Sequence, residues 1–557
     1  MEFEPIGEII GGSLKEGLRV RLFVPPQEVQ EGAFLVAEDN GWLFYGLVTD
    51  LRLRANDERF ADSRIFKPLK GALAELARSE LLYTEAEMFP VLMQPTLEAY
   101  DASGGELPQQ AMPVKTVPGH ATPVRLAQAG DIDEIFKGDF IIGYTREQGY
   151  PVRINLEKFV QRSAGIFGAT GTGKSFLTRI LLAGIIQHKK AATLVFDMHN
   201  EYAYDDIASD TQKRIAGLQT KFGSRVLVVG LGKGAMIRGK RPDLDLVISE
   251  QDITPEDILM LTRTLNLRET TATTLDALYH DFHEKWFTEF RKMKVGATEE
   301  ITDDNGKTRR VPAPDSVAAW ANEAGVNVMA AEGLHNKLRR LFNAEYIVEE
   351  PATDALRQIT DALENGRHVI LSFGEHDGEL DYLLVTNLIT RKIREHWVKR
   401  TDDYRTGKSQ EKPTPLVVVV EEAHKLLNRE MAAQTTFSTI ARELRKYFVT
   451  LLIIDQRPSQ IYDEVMSQLG TRISGKLSDE EDIRAVLSGQ AARDQLRGML
   501  SRLQEKEEVL ILGWGVPMPL PIRSRRYDDR FWEELTSGES NSSGITDPFT
   551  ALGFSHS

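Results

Sequence analysis

The sequence predicts an α/β protein in which an open parallel sheet, flanked by helices, follows a smaller β module. Three observations carry that expectation. The first is Gly168-Ala169-Thr170-Gly171-Thr172-Gly173-Lys174-Ser175, which fills the pattern G-x-x-x-x-G-K-S. An apolar run at 164–167 enters it, and an amphipathic run opening at Phe176 leaves it. Strand, glycine loop and helix in that order aim backbone N–H groups and a helix N-terminus at phosphate. The second is Leu416-Val417-Val418-Val419-Val420, ended by Glu421 and Glu422. An unbroken apolar run of this kind suits a strand buried on both faces. The third is the stretch 1–128, where short apolar or alternating runs (18–24, 33–36, 42–48, 81–83, 89–92) recur between Gly and Pro turns. That pattern reads as a small barrel or sandwich, with no catalytic cluster in it.

Whole-chain properties bound the answer. A length of 557 residues implies several domains and ample chain for a large core. With no cysteine, the chain has no disulfide, thiolate zinc site, iron–sulfur cluster or cysteine nucleophile. The acidic start, Met1-Glu2-Phe3-Glu4-Pro5, is not a secretory signal. No apolar run approaches the ~20 residues a bilayer span needs, so a cytoplasmic location without membrane contact is expected. A net charge of −15 argues against nucleic acid only weakly, because fields are screened over about 8 Å at physiological salt. A local basic surface would survive an acidic exterior.

The expected organisation is a β-barrel over 1–128, the first part of an α/β core over 129–246, a helical insertion over 247–344, the rest of the core over 345–515, and a C-terminal brace and tail over 516–557. Core strands are expected at 192–196, 226–229, 369–373, 416–420, 449–454 and 509–512, with a long helix over 382–398. Within the insertion, Thr254-Pro255-Glu256-Asp257 reads as a helix start: an N-cap hydroxyl, proline at the first helical position, and carboxylates near the positive end of the dipole. Asn305-Gly306, among charged residues, reads as an exposed hairpin or loop tip. Residues 316–342 are helical again. Near the end, Arg523-Ser524-Arg525-Arg526 is basic and 537–544 is a Gly/Ser-rich linker.

The chemistry-bearing residues follow from these placements. The loop Gly168 to Ser175, with Phe176 opening the helix, binds a nucleotide. Lys174 reaches the β- and γ-phosphates, and the Ser175 hydroxyl holds Mg²⁺. Two carboxylates at the end of a buried strand are costly unless a cation compensates them. Mg²⁺–ATP is the economical explanation, with Glu421 near the metal and Glu422 polarising the attacking water. Gln456, at the end of the 449–454 run, is placed to sense the γ-phosphate. Asp197, in Asp197-Met198-His199-Asn200-Glu201-Tyr202, sits where ligands bind in open parallel sheets; it reads equally as a further metal ligand or as a capping side chain. Arg442 and Arg445 are either solvated helix charges or a source of an arginine finger.

Together the loop, the 197–202 turn, Val420-Glu421-Glu422-Ala423-His424, the 442–447 stretch and Gln456-Arg457-Pro458-Ser459 resemble the HerA ATPases of the HerA/FtsK branch of P-loop motors. The resemblance spans nearly the whole chain. It implies a RecA-like motor core behind a HAS-barrel-like module, and a homohexameric ring that translocates on double-stranded DNA. It also implies a partner nuclease of the NurA type, or another effector, in DNA-end processing or antiphage defence. By the same resemblance Gln456 is the sensor, Arg445 the finger reaching a neighbour's nucleotide, and Arg162 a second arginine at that interface. The chain departs from the usual pattern at Leu444 and Phe448, where glycines are common, and at Met198 and Asn200, where proline and glycine are. A protein-moving motor of the same superfamily and an ATP-gated scaffold that activates an effector are the rival readings.

Overall fold

The computed structural model describes residues 4–55, 82–207, 212–302, 308–376, 378–432, 444–490 and 493–537. The N-terminal strands are β1 (Gly7–Ser13), β2 (Gly17–Leu22), β3 (Phe34–Asp39), β4 (Trp42–Ala55), β5 (Leu82–Pro95) and β6 (Pro123–Leu126). They pair antiparallel in the order β2-β1-β6-β3-β4-β5, and β5 pairs back onto β2, so the barrel closes. Closure leaves this ring of strands without an open edge. Alternation sets the two faces. Leu35 and Ala37 join Val20, Val48 and Met88 inside the barrel, whereas Phe34 and Val36 face outward into the larger core with Ile132 and Phe136. The 81–83 and 89–92 runs prove to be parts of one strand from Leu82. The polar stretch between them, Thr84-Glu85-Ala86-Glu87, is held by partners on both sides, β2 and β4.

The second sheet has 12 strands. In chain order they are β7 (Phe140–Thr145), β8 (Pro151–Ile154), β9 (Ala164–Phe167), β10 (Ala192–Asp197), β11 (Val226–Leu231), β12 (Leu244–Leu246), β13 (His368–Ser372), β14 (Leu416–Glu421), β15 (Val449–Asp455), β16 (Thr471–Ser474), β17 (Glu508–Gly513) and β18 (Leu520–Ser524). The spatial order is β12-β11-β13-β10-β14-β15-β9-β16-β17-β18-β7-β8. Every pair from β12 to β16 is parallel, and the pairs beyond are antiparallel. Every residue of β14 is buried, and each buried aliphatic contributes about 1.5–3 kcal/mol relative to exposure. That apolar strand is what can carry two carboxylates at its end.

Residues 520–524, assigned from the sequence to the C-terminal segment, enter this sheet between β17 and β7. Leu520 and Ile522 are buried in the core, and Pro521 between them with the polar Arg523 and Ser524 after them had masked the strand pattern. Helix α1 (Lys174–His188) also differs from expectation. It is buried on all sides from Leu177 to Ile186 rather than amphipathic, because β7 and the C-terminal helix Asp529–Ser537 pack on it as well as the parallel strands β9 and β10. Gly184 permits this: a Cβ there would lie 2.8 Å from the Phe140 ring.

The insertion between β12 and β13 packs α2 (Thr270–Phe282), α3 (Trp286–Lys292), α4 (Val317–Glu323) and α5 (Val328–Phe342) around an aromatic core. Phe287 meets Trp286 and Phe342 at ring-centre distances of 5.4 and 5.1 Å. The insertion is not wholly helical, since Thr298–Thr302 and Thr308–Pro312 pair as an antiparallel hairpin. Asn305 and Gly306 lie outside the described residues. The expected start at Thr254 is a capping box, with Thr254 accepting from the Asp257 N–H and Asp257 accepting from the Thr254 N–H.

Asp257 also ties the insertion to α6 (Glu379–Arg405). Fully buried, it accepts from Asn387 Nδ2 at 2.9 Å and from Arg391 Nη2 at 2.9 Å. Asp257→Ala takes the buried carboxylate from the largely buried Arg391 guanidinium, which keeps only the exposed Glu395 at 3.4 Å and the Asp252 carbonyl, a loss worth up to about 3–5 kcal/mol. It is expected to lower the urea midpoint of unfolding accordingly, and Asp257→Asn by less. After β18, helix α7 (Asp529–Ser537) docks Phe531 and Trp532 against Tyr527, and Trp532 on Phe222 as well. The linker at 537–544 and the end of the tail fall outside the described residues from 538 onward. Among the described residues, no helix is long and apolar enough to cross a membrane.

Candidate active site

Register decides which side chains meet. Phe196 is level with Val420, Glu421 with Ile454, and Ile454 with Ile166. Asp197, Glu421, Asp455 and Phe167 therefore close four adjacent strands along one edge. Neighbouring strands lie about 4.8 Å apart, so the glycine loop emerges roughly 10 Å from the strand of Glu421. Asp455 and Gln456 fill the position between. This is the carboxyl edge of a parallel sheet, where ligands bind in open α/β folds.

The loop geometry suits phosphate. A Cβ on Gly168 would lie 2.5 Å from Thr172 Oγ1, so only glycine fits. Gly173, at φ +88, is the N-cap of α1 and turns the chain into the helix through the left-handed region. Lys174 reaches back across the loop, donating to the Gly168 and Ala169 carbonyls at 2.8 Å each. Burial holds its ammonium below the ordinary lysine pKa, while Glu422 and Asp455 oppose that shift. Ser175 is half-buried in the first helical turn, and exposed Phe176 has the Arg179 guanidinium 5.5 Å from its ring centre. Thr170 Oγ1 donates to Gln456 Oε1 at 2.5 Å, and Gln456 Nε2 donates to Glu422 Oε1 at 3.0 Å. The glutamine thus links the phosphate loop to the second carboxylate.

Glu421 is buried. Its Oε1 accepts from the Tyr202 hydroxyl at 2.6 Å, whereas Oε2 is buried without a hydrogen-bond partner. Its carboxyl is pushed well above the usual range, by burial first and then by the Asp197 charge. A buried carboxylate with one orphaned oxygen fits a cation ligand, alone or through water. Glu422 is more open and stands at φ +47, a sparsely populated backbone region for a glutamate. Such strain persists where surrounding contacts enforce it. Here Asp455 does so: it accepts from the His424 N–H at 2.7 Å and from His424 Nδ1 at 3.0 Å. The hydrogen bond to Asp455 raises the His424 pKa above its ordinary value.

Asp197 shares the edge, but its oxygens accept from the Glu201 and Tyr202 N–H groups at 2.7 and 2.9 Å. Burial lifts its pKa to about 6. The geometry supports the capping alternative over direct metal ligation. Arg162 and Arg445 are not brought to this edge. They precede β9 and β15, at the opposite ends of those strands. Arg162 lies over the Trp514 ring at 3.9 Å, and Arg445 is exposed on the 3₁₀ turn Leu444–Tyr447. Arg442 lies outside the described residues. Sequence reasoning missed Tyr202, Tyr382 and Asp455 as contributors, whereas Thr170 stood within the loop it assigned to the nucleotide. Tyr202 ends the 197–202 turn and Asp455 directly follows the 449–454 run, but nothing in one-dimensional spacing showed their side-chain partners, Glu421 and His424.

Lys174→Ala removes a donor that would meet charged phosphate, a hydrogen bond worth about 1.5–3 kcal/mol. ATP binding measured by calorimetry is expected to weaken by about 10- to 100-fold.

Residues 140–393 match the family described as "Helicase HerA, central domain". The DNA double-strand break repair helicase HerA of Sulfurisphaera tokodaii is 24% identical over 548 residues, covering 96% of this chain and 95% of its own. The protein of that name from Sulfolobus acidocaldarius is 24% identical over 556 residues, with coverage of 96% and 95%. Among solved structures, VirB4 of Thermoanaerobacter pseudethanolicus aligns with a TM-score of 0.43 at 16% identity, over 71% of this chain and 98% of that one.

Proposed function

We propose that this chain is a HerA-type P-loop ATPase, an ATP-driven motor that translocates on double-stranded DNA as a homohexameric ring. It is an ATPase, and its cofactors are ATP and Mg²⁺. The observation that carries the reading is the single edge holding the glycine loop, Glu421, Glu422 and Gln456 in register.

The loop N–H groups cradle the phosphates, and Lys174 turns from the Gly168 and Ala169 carbonyls to the β- and γ-phosphate oxygens. Ser175 and Glu421 would hold the metal. Bound there, Mg²⁺ would offset negative charge on the nucleotide's phosphates. Glu422 accepts a proton from the attacking water, and Gln456 couples its position to Thr170 on the loop.

Two arginines support the ring. Arg162 and Arg445 precede their strands, and β15 runs for about 20 Å before it reaches the nucleotide edge. Neither can serve the site of its own subunit, but a head-to-tail neighbour would meet both. Contacts of that kind close into rings. A central channel gripping the phosphate backbone reads no sequence. The relatives' name, double-strand break repair helicase, supports a task at broken DNA ends, and the cytoplasmic setting and a NurA-like nuclease or other effector partner are part of the proposal itself. An antiphage role would use the same motor.

The test is the steady-state ATPase rate at fixed salt with linear duplex, single-stranded or no DNA. Stimulation of at least severalfold by duplex is expected. An active ATPase indifferent to all DNA would overturn the translocase in favour of a scaffold or protein motor.

A further inference from the structure

The Tyr202 phenol is fully buried, and its hydroxyl donates to Glu421 Oε1 at 2.6 Å. It is held at its base as well. The Tyr202 N–H donates to Asp197 Oδ2 at 2.9 Å, and its carbonyl accepts from the Leu218 N–H at 2.9 Å. A second buried tyrosine, Tyr382 on α6, donates its hydroxyl to the main-chain carbonyl of Glu421 at 2.8 Å. One tyrosine thus fixes the rotation of the carboxylate and the other fixes the end of its strand. Oε2 is left buried with no partner.

We infer that Tyr202 is a positioning residue for metal: its hydroxyl occupies one oxygen of Glu421 and leaves the other aimed for the cation. This rests on the reading of Glu421 as the metal-side carboxylate. The chemistry of the partner matters. A neutral hydroxyl orients the carboxylate without cancelling its charge, so the charge remains for a cation to meet. An arginine or lysine there would have satisfied Glu421 within the protein and weakened its need for metal. Side chains that orient metal ligands in this way typically set affinity by about 10- to 100-fold.

The experiment measures Mn²⁺ binding by electron paramagnetic resonance on the full chain saturated with AMP-PNP, together with AMP-PNP binding in EDTA. Tyr202→Phe removes one oxygen atom. It is expected to weaken Mn²⁺ binding by about 10- to 100-fold while leaving AMP-PNP affinity in EDTA within about twofold. The EDTA measurement reports an intact loop, so a variant that merely folds poorly is distinguished. Tyr382→Phe frees only a main-chain carbonyl and is expected to move the Mn²⁺ affinity by less than about threefold, well below the range for ligand-orienting side chains.

Unchanged Mn²⁺ affinity in Tyr202→Phe would overturn the inference. So would equal losses in the two tyrosine variants, which would point to general loosening of the strand end. Glu421→Gln separates the premise from the inference. If that variant binds Mn²⁺ like the wild type, the metal-side reading of Glu421 fails and the role of Tyr202 fails with it. If Glu421→Gln loses Mn²⁺ and Tyr202→Phe does not, only the tyrosine's role fails.

Discussion

Glu422→Gln is expected to bind ATP as the wild type does and to hydrolyse it about 10²- to 10⁴-fold more slowly, the range for loss of a positioned general base. The substitution is close to isosteric, so it separates chemistry from binding. The geometry gives Glu422 one task. Its backbone is held at φ +47, Asp455 and His424 pin the turn that follows, and Gln456 holds Oε1 at 3.0 Å. A residue kept in a strained conformation by several contacts is positioned for use. An amide at this point can still meet Gln456 but cannot take a proton from water. ATP binding by calorimetry and phosphate release in single turnover check the two halves separately. Full turnover would remove Glu422 from the reaction. Weak ATP binding with a proportionate fall in turnover would mean that it serves the ground state rather than the transition state.

The parts of this site legible in the sequence are those in which chemistry and local geometry coincide. A phosphate loop is a contiguous stretch, and its glycines, Lys174 and Ser175 are fixed by the backbone path they impose. Glu421 and Glu422 stood out because charge ends an otherwise apolar strand. The parts that were not legible depend on tertiary contact. Tyr202 and Tyr382 reach one glutamate from a turn and from a helix about 180 residues apart in the chain, and no spacing rule links them. Asp197 illustrates the ambiguity that remains when position is known and partners are not. A strand-end carboxylate reads alike as ligand or cap until two backbone N–H groups are seen to fill it. In the fold, β18 escaped notice because Pro521 separates its two core-facing aliphatics and its end, Arg523-Ser524, runs into the basic stretch 523–526. The burial of α1 on all sides was hidden because β7, which covers it, lies in a stretch read only as the start of the core.

Mixing Arg445→Ala subunits with Glu422→Gln subunits is expected to restore ATPase activity that neither possesses alone. The reason lies in the distance between the two edges of the sheet. Arg445 is exposed on the 3₁₀ turn before β15, anchored there by Arg405, whose guanidinium donates to the Lys446 carbonyl. It faces away from its own phosphate loop by the length of a strand. In a head-to-tail ring each site joins the carboxylates of one subunit to the arginine of the next. Random equal mixing then makes about a quarter of the interfaces complete, because a site from Arg445→Ala meets an arginine from Glu422→Gln. Each single variant has no complete interface, and an arginine finger is worth about 10³- to 10⁵-fold in rate in other phosphoryl transfers. Even a minority of repaired sites would therefore stand far above the background of either parent. The rate across mixing ratios, with mixed assembly verified by differently tagged subunits, checks this. A maximum near equal proportions is the signature of a shared site. A flat, inactive profile would count against the shared site, and with it the argument that the nucleotide site is incomplete in a lone subunit.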